Sequence, residues 1–284
     1  MLPNLKLSIL ILFLVSTKIE NLHAQQQHFI ITPGNTLMFE KKKDLLFSIE
    51  GMKNTEVNLS RNLNARLGYS PSKYIGITAF HSNNQIANSA YENLIYQKNH
   101  LSGIDINFFH FMNFQGNGRD SWLPKSGMYI NVSLGYSNGW LNNNYFTFDE
   151  LDEDSWRQTA TTTLHLHKGH IQYDLQYLIF NTLKIGASYR LGQVNYYKGI
   201  FTGQGNNITH QRQYTSAIMS KNSTSFKEYS IIVKLKLKFL ELHFQKTVGE
   251  AKRMGQKFDR NDVGITLDLG AFKNKFSKKK KKRK

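Results

Sequence analysis

Apolar and polar residues alternate with a period of two over most of this chain. The stretch SIIVKLKLKF shows the pattern clearly, because Ile231, Val233 and Leu235 alternate there with Lys234 and Lys236. Successive side chains of an extended strand point to opposite faces, so one face of this segment is aliphatic and the other carries lysines. The pattern predicts β-strands, and few segments show helical spacing.

Ten segments with this alternation predict an all-β fold. They cover residues 44–52, 56–70, 73–83, 101–113, 127–138, 162–180, 183–197, 226–238, 240–248 and 261–272. The connections between them are of two kinds, short at 70–73, 180–182 and 239, and long and polar at 84–100, 139–161, 198–225 and 249–260. Alternation of short turns with long loops is typical of an antiparallel up-and-down transmembrane β-barrel. Two connections depart from this pattern. The connection at 114–126 is long where a short turn is expected, and the one at 53–55 is short where a long loop is expected.

The two faces of each strand allow two interpretations. Leu183, Ile185 and Ala187 lie on one face of their strand, and Lys184 and Ser188 lie on the other. A soluble β-sandwich would bury the apolar face, whereas a membrane barrel turns it toward lipid and its polar face toward the lumen. Small residues on the polar faces, strand lengths suited to a membrane span and tyrosines near strand ends favour the barrel.

Charged residues on the polar faces are the predicted lumen lining. They are Arg66, Asp105, Asp174, Lys184, Arg190, Lys234, Lys236, Lys238, Glu241 and Asp268. Charges of both signs in a narrow lumen are stable only when paired, which predicts a structural plug of ion pairs. The functional alternative is a narrow path that prefers anions, because basic residues select anions. Its predicted lining is Lys184, Arg190, Lys234, Lys236 and Lys238.

The ends of the chain differ in composition from its middle. Residues 1–24 have the features of a cleaved export signal, in which Lys6 precedes the apolar run LSILILFLV and Ala24 precedes the cut. A membrane-spanning helix needs about 20 apolar residues, more than this run contains. We therefore expect a signal peptide over 1–24, an N-terminal segment over 25–43, a barrel over 44–272 and a basic, disordered tail over 273–284.

The net charge of +17 is concentrated in that tail, where KNKFSKKKKKRK holds nine basic residues. A block of like charge repels itself and is typical of a solvated terminus. Its functional interpretation is attachment to an anionic polymer of the cell envelope. Exported proteins rarely meet nucleic acid, so no nucleic-acid partner is predicted.

The sequence contains only weak candidates for a metal site or a catalytic site. His165, His167 and His170 are residue types that bind transition metals, but strand ends also carry histidine without a metal, and no metal or other cofactor is predicted. His81, His100 and His243 lie in or near strands without a G-x-S-x-G nucleophile motif, so the protein is predicted not to be an enzyme.

The segments LGYSPSKYIGITAF and YDLQYLIFNTLKIGASYRLGQVNY, together with the export signal, resemble small, uncharacterised outer-membrane β-barrel proteins of Gram-negative bacteria. The resemblance implies a barrel of about eight to ten strands in the outer membrane. It further implies outer-membrane lipid, lipopolysaccharide and the barrel assembly machinery as partners, and it brings no activity with it.

The predicted function is accordingly that of an outer-membrane barrel of a structural, adhesion or small-solute passage type, with anions as one class of solute. The first alternative is a periplasmic β-sandwich that binds a ligand or partner. The second is a membrane-embedded enzyme that modifies lipids.

Overall fold

The computed structural model describes residues 37–53, 59–90, 93–114, 126–148, 156–179, 182–203, 223–251 and 256–271. Ten β-strands account for almost all of these described residues. They are β1 (Leu45–Lys53), β2 (Leu59–Tyr69), β3 (Ile75–Ala90), β4 (Asn93–Asn113), β5 (Gly127–Phe148), β6 (Trp156–Ile179), β7 (Leu183–Gly203), β8 (Ser223–Leu237), β9 (Leu240–Ala251) and β10 (Gln256–Asp268). The predicted signal peptide over 1–24 and the tail over 273–284 lie outside the described residues.

The strands form a single closed sheet. Each strand pairs antiparallel with its neighbours in sequence, and β1 closes the cylinder by pairing with β10, where Ile49 lies opposite Ile265. Closure gives every strand a partner on both sides, which satisfies backbone hydrogen bonds around the cylinder. Among the described residues, the far end of β7 beyond Asn195 pairs with β6 alone. The predicted up-and-down barrel of ten strands is confirmed, and the β-sandwich alternative is wrong, because there is one closed sheet where a sandwich has two.

The two ends of the barrel are different. We call the near end the one at which β1 begins and β10 ends, and the far end the opposite one. Short connections at 70–74 and 238–239 lie at the near end, and the backbone N–H of Phe114 donates to Ser126 there across the connection between β4 and β5 (2.9 Å). This hydrogen bond holds the near ends of β4 and β5 together beyond their last paired residues.

Several strands are longer than the sequence pattern predicts. The predicted loop over 84–100 is largely strand, because β3 continues to Ala90 and β4 begins at Asn93. The predicted loop over 139–161 is similarly shortened by β5 and β6. In these extensions both faces carry polar residues, and the outward ones bond across strands, as when the Asn142 amide donates to Thr163 (2.9 Å). The hydropathy alternation therefore fades although the strand continues.

The last predicted strand also differs at its end. β10 stops at Asp268, and residues 269–271 form a short helical turn where the pattern predicts a strand to 272. The Asp268 carboxylate accepts a hydrogen bond from the backbone N–H of Ala271 (2.8 Å). An aspartate that accepts from the third residue onward is the usual start of a helical turn. Among the described residues, no helix is long and apolar enough to cross a membrane.

The exterior of the barrel wall is apolar and its interior is polar. Leu134 and Val263 are 46% and 57% exposed on the outer face, whereas Arg66 and Lys234 on the inner face are only 4% and 1% exposed. In water this arrangement would expose the apolar surface and bury the charged groups, the reverse of what the hydrophobic effect favours. A hydrocarbon surrounding removes the conflict, so the fold is that of a transmembrane β-barrel.

The segment before β1 turns back into the near end of the barrel. Leu37, Met38 and Phe39 are fully buried, and they pack with Leu46 and Phe109. Residues 37–39 of the predicted N-terminal segment are therefore part of the barrel interior, whereas residues 41–43 are exposed in the turn before β1. No alternation marks this segment in the sequence, because it is neither a strand nor a helix.

Candidate functional site

The lumen is the candidate functional site, and most predicted lumen residues lie in it. Six are almost completely buried on the inner face, and Asp105 and Lys236 are half-buried there. The six are Arg66, Asp174, Lys184, Arg190, Lys234 and Glu241. Their positions follow from strand parity, because inward positions of neighbouring strands meet in register, as Lys184 does with Lys234.

Two predicted lumen residues lie elsewhere. Lys238 is exposed in the turn between β8 and β9 and has a positive φ of 57°, so the prediction that it lines the lumen is wrong. β8 ends at Leu237, and the alternation does not continue into the turn. Asp268 is half-buried at the near end, where it starts the helical turn described above.

The middle of the lumen contains a network of buried ion pairs. The Arg190 guanidinium bonds the Glu228 carboxylate (2.6 Å) and the side-chain oxygen of Gln172 (2.7 Å). Lys168 lies 3.8 Å from the other oxygen of Glu228 and stands over the Phe226 ring. The two cations compensate the buried Glu228 carboxylate, which would be unfavourable in a low-dielectric interior without a partner.

A second group of charges lies across the lumen, on β1, β2, β9 and β10. Glu50 lies 3.7 Å from Arg66 and 3.5 Å from the imidazole of His243, and Arg260 donates to Asp262 (3.0 Å). The two groups face each other, since Arg260 acts on Glu228 and Arg190 acts on Arg66. Together the two groups fill the middle of the barrel with paired side chains.

Several buried charged or histidine residues of the lumen were not among the predicted lumen residues. They are Glu50, Lys168, His170, Glu228, His243, Arg260 and Asp262. The alternation along each strand could have found them. Glu228 lies an even number of positions from Lys234 on β8, and Lys168 lies an even number of positions from Asp174 on β6, so each shares the inward face. The pairing itself joins different strands, and a single sequence does not report it.

A cluster of three lysines lies at the near end of the lumen. Lys184 bonds Glu241 and lies 3.2 Å from Glu40, while Lys236 bonds both oxygens of Glu40 at 2.6 Å. Lys234 lies 3.5 Å from Glu241. Burial raises the pKa of Glu40, but the charges of Lys184 and Lys236 lower it more, so that its pKa lies below the usual 4.5. Glu40 is therefore ionised at neutral pH.

Apolar layers close the lumen above and below the charged middle. At the near end Phe39 packs on Phe109 with ring centroids 5.4 Å apart, and Tyr129 lies next to Phe109. Farther along the strands, six inward residues are almost fully buried, and they are Leu101, Leu141, Leu164, Leu166, Val194 and Phe226. With both layers and the ion pairs in place, side chains fill the barrel interior, as expected for a barrel of this size.

The candidate histidine cluster does not come together. His165 and His167 lie on the outer face, where His167 bonds the Tyr136 hydroxyl (2.9 Å) and stacks on Tyr197. His170 lies in the lumen, 3.4 Å from Asp105. Within the described part of the chain, no group of three histidine or acidic side chains is arranged to hold a metal ion.

A serine and a histidine meet on the outer face, above the apolar surface of β3 and β4. The imidazole Nδ1 of His81 lies 3.0 Å from the hydroxyl of Ser102, and the edge of the His81 ring faces His100. His100 in turn stacks on Trp140 with the rings almost parallel. This is a nucleophile and a base within hydrogen-bond reach of each other.

The fold and the filled lumen define a ten-stranded transmembrane β-barrel protein. No protein-family model and no curated protein sequence matches the chain. Among solved structures, CarO2 of Acinetobacter baumannii is similar at 9% identity and a TM-score of 0.35, over 79% of this chain and 98% of that one. The KdgM porin is similar at 8% identity and a TM-score of 0.31, over 79% of this chain and 98% of that one. The outer membrane protease OmpT of Escherichia coli is similar at 8% identity and a TM-score of 0.35, over 80% of this chain and 93% of that one. These neighbours are outer-membrane barrels, and at such TM-scores they carry no argument about activity.

Proposed function

We propose that this protein is an outer-membrane β-barrel of the structural or adhesion type, without catalytic activity. The observation that carries the proposal is the filled lumen, since Lys184, Arg190, Lys234 and Glu241 are buried in ion pairs. Buried side chains of the described strands occupy the middle of the lumen, where a solute would have to pass. The working surface is then the outside of the barrel.

The strand lengths support a working surface at the far end. β6 has 24 residues, whereas about 9 to 11 residues are enough for a strand to cross the outer membrane. The excess lies toward the far end, where the outward residues of β5 and β6 include Asn142, Asn144, Thr161 and Thr163. A polar cylinder that continues beyond the apolar belt projects into water, where a partner can reach it. With short turns on the periplasmic side, the far end faces the outside of the cell.

Fractionation and gel mobility test the location. The protein is expected in the outer-membrane fraction, and folded samples should migrate faster in detergent gels before boiling than after it. An epitope tag inserted within residues 149–155, between β5 and β6, should bind antibody on intact cells. A tag that binds only after permeabilisation would show that the far end does not face outward.

Small-solute passage is a separate activity of the same architecture, and planar bilayers test it. The filled lumen leads us to expect no steady conductance from the folded protein. Discrete single-channel steps that favour anions would instead support the predicted anion path. Four of its five predicted basic residues lie in the lumen, namely Lys184, Arg190, Lys234 and Lys236. If such steps are seen, the ion pairs of the lumen must rearrange for conduction.

A lipid-modifying enzyme is the second candidate, favoured by the contact between His81 and Ser102 at the edge of the apolar belt. It ranks second because no carboxylate forms an ion pair with His81 in the described chain, so that the base lacks an acidic partner to orient it. A fluorophosphonate probe tests this candidate. Labelling of the folded protein that disappears in Ser102→Ala and persists in Ser137→Ala would establish a reactive serine on the outer face.

A further inference from the structure

The near end of the lumen contains a carboxylate that does not belong to the barrel wall. Glu40 lies in the segment before β1, and its backbone N–H donates to the Asp44 carboxylate (2.8 Å), as does that of Lys41 (2.9 Å). Lys43, with a φ of 68°, reverses the chain between this segment and β1. The turn thus fixes Glu40 at the mouth of the barrel from outside the sheet.

The wall presents three lysines to this carboxylate. Lys184 and Lys234 lie directly opposite each other on β7 and β8, and Lys236 follows two residues later on the same face. Like charges opposite each other in a sheet are unfavourable unless anions lie between them. Glu241 of β9 supplies one such anion, because it bonds Lys184 and lies 3.5 Å from Lys234.

Glu40 supplies the second anion, and the balance of charge depends on it. Within the cluster of Lys184, Lys234, Lys236, Glu40 and Glu241, three positive charges face two negative ones. Asp174 of β6 also acts on Lys234. Without Glu40 the three lysines keep an excess of positive charge, so the wall alone forms a site for an anion, and Glu40 occupies it.

The site is open to the near end. The side chains of Glu40 and Lys236 are 28% and 29% exposed, whereas those of Lys184 and Lys234 are almost fully buried. A ligand arriving from the near side reaches Lys236 first and then Lys184 beneath it. Three ammonium groups on flexible stems, two of them buried, suit a compact anion with charge on all sides.

We propose that Lys184, Lys234 and Lys236 form a binding site for a phosphate dianion, which Glu40 occupies from within the same chain. A phosphate group brings about two negative charges at neutral pH and three acceptor oxygens, one for each ammonium group of the wall. Glu40 acts as an internal competitor. The site goes beyond the structural role proposed above and depends only on the contacts at the near end.

Calorimetry with inorganic phosphate tests the site on the full-length protein, folded in detergent at pH 7.5 and low salt. Glu40→Ala removes the competing carboxylate and frees its volume, so we expect it to bind phosphate at least about tenfold more tightly than the unsubstituted protein. Glu40→Gln removes the charge but keeps the volume, and it should give a smaller gain. Adding Lys236→Gln to Glu40→Ala should abolish the gain.

Two controls make the result decisive. Glu250→Ala removes a carboxylate from β9 outside the cluster and should leave phosphate binding as it was. Acetate, a single negative charge, should bind Glu40→Ala more weakly than phosphate does. Heat-dependent gel mobility shows that each variant is folded. If folded Glu40→Ala binds phosphate no more tightly than the unsubstituted protein, or binds it equally well with Lys236→Gln, the proposal is wrong, whatever the bilayer and epitope experiments give.

Discussion

The ring of Phe39 lies directly over Gly76, in the space that any side chain at position 76 would need. Gly68 of the neighbouring strand has the same role, because a Cβ there would lie 2.6 Å from Leu37 and 2.8 Å from Phe39. The two glycines form a recess in the wall of β2 and β3. The segment before β1 is thus fitted to the barrel, and it closes the near end by packing as well as by charge.

This fit predicts the effect of a single methyl group. Gly76→Ala should push Phe39 from its place and destabilise the protein by about 1 to 3 kcal/mol, the usual result of overpacking a filled interior. Gly169→Ala is the matched control, since a Cβ at that position meets nothing within 4 Å. Unfolding in guanidinium, followed by tryptophan fluorescence, measures both. Equal stability of the two variants would mean that the recess does not hold Phe39.

The buried ion pairs make a second prediction. Arg190→Met leaves the Glu228 carboxylate without its closest partner, at 2.6 Å, inside the lumen. Removing one member of a buried pair typically costs about 3 to 5 kcal/mol, because the remaining charge stays buried.

The control for Arg190→Met is a substitution in an ion pair that is exposed to water. Lys41 lies 3.7 Å from Asp44 and its side chain is 68% exposed, so Lys41→Met should change the free energy of unfolding by less than about 1 kcal/mol. The same guanidinium titration measures both variants. A cost for Arg190→Met no larger than that for Lys41→Met would indicate that the lumen is filled with water, which screens the charges.

The contacts of Glu40 predict a dependence on pH. Its pKa in the folded protein lies below 4.5, since the charges of Lys184 and Lys236 outweigh the effect of burial. A group of this kind contributes stability that is fully present above its unfolded pKa and is lost as the pH falls through the folded pKa. The unsubstituted protein should therefore be more stable than Glu40→Gln at neutral pH.

That difference should shrink as the pH falls below 4.5. Unfolding titrations of both proteins at a series of pH values measure it, with the pH varied and the ionic strength held constant. Glu241 lies beside the same lysines, but both proteins contain it, so its contribution cancels to first order. A difference that stays constant down to the lowest pH would show that the Glu40 carboxylate is not bound to the lysines.

The apolar outer face predicts that an arginine placed on it will destabilise the protein in a lipid bilayer. Leu134 lies in the apolar part of β5, and Leu134→Arg should cost about 2 to 4 kcal/mol in lipid bilayers, the value for a cation in the hydrocarbon interior of a barrel protein. Asn138→Arg, on the same face toward the far end, should cost about 1 kcal/mol or less. Folding into vesicles measures both. If Leu134→Arg were tolerated as well as Asn138→Arg, position 134 would not face lipid.

Much of the fold follows from the sequence because a strand has a period of two. Alternation assigns Leu134 to one face and Ser133 to the other without any knowledge of neighbours, and an apolar face next to a charged one limits the fold to few arrangements. Ten such segments and their turns were enough to predict the barrel. The same reasoning places Arg66, Lys184 and Lys234 in the lumen.

The tertiary structure decided what depends on distance between strands. Glu228 lies far from Lys168 in sequence, and only the closed cylinder brings them together. Glu40 belongs to an irregular segment whose place is determined by Gly68, Gly76 and the lysines rather than by any pattern of its own. Likewise, the far-end extensions of β3 to β7 are strands because neighbouring backbones pair there, although polar side chains lie on both of their faces. The alternation along a strand determines which face a side chain lies on. The pairing of strands around the barrel determines which side chains it contacts.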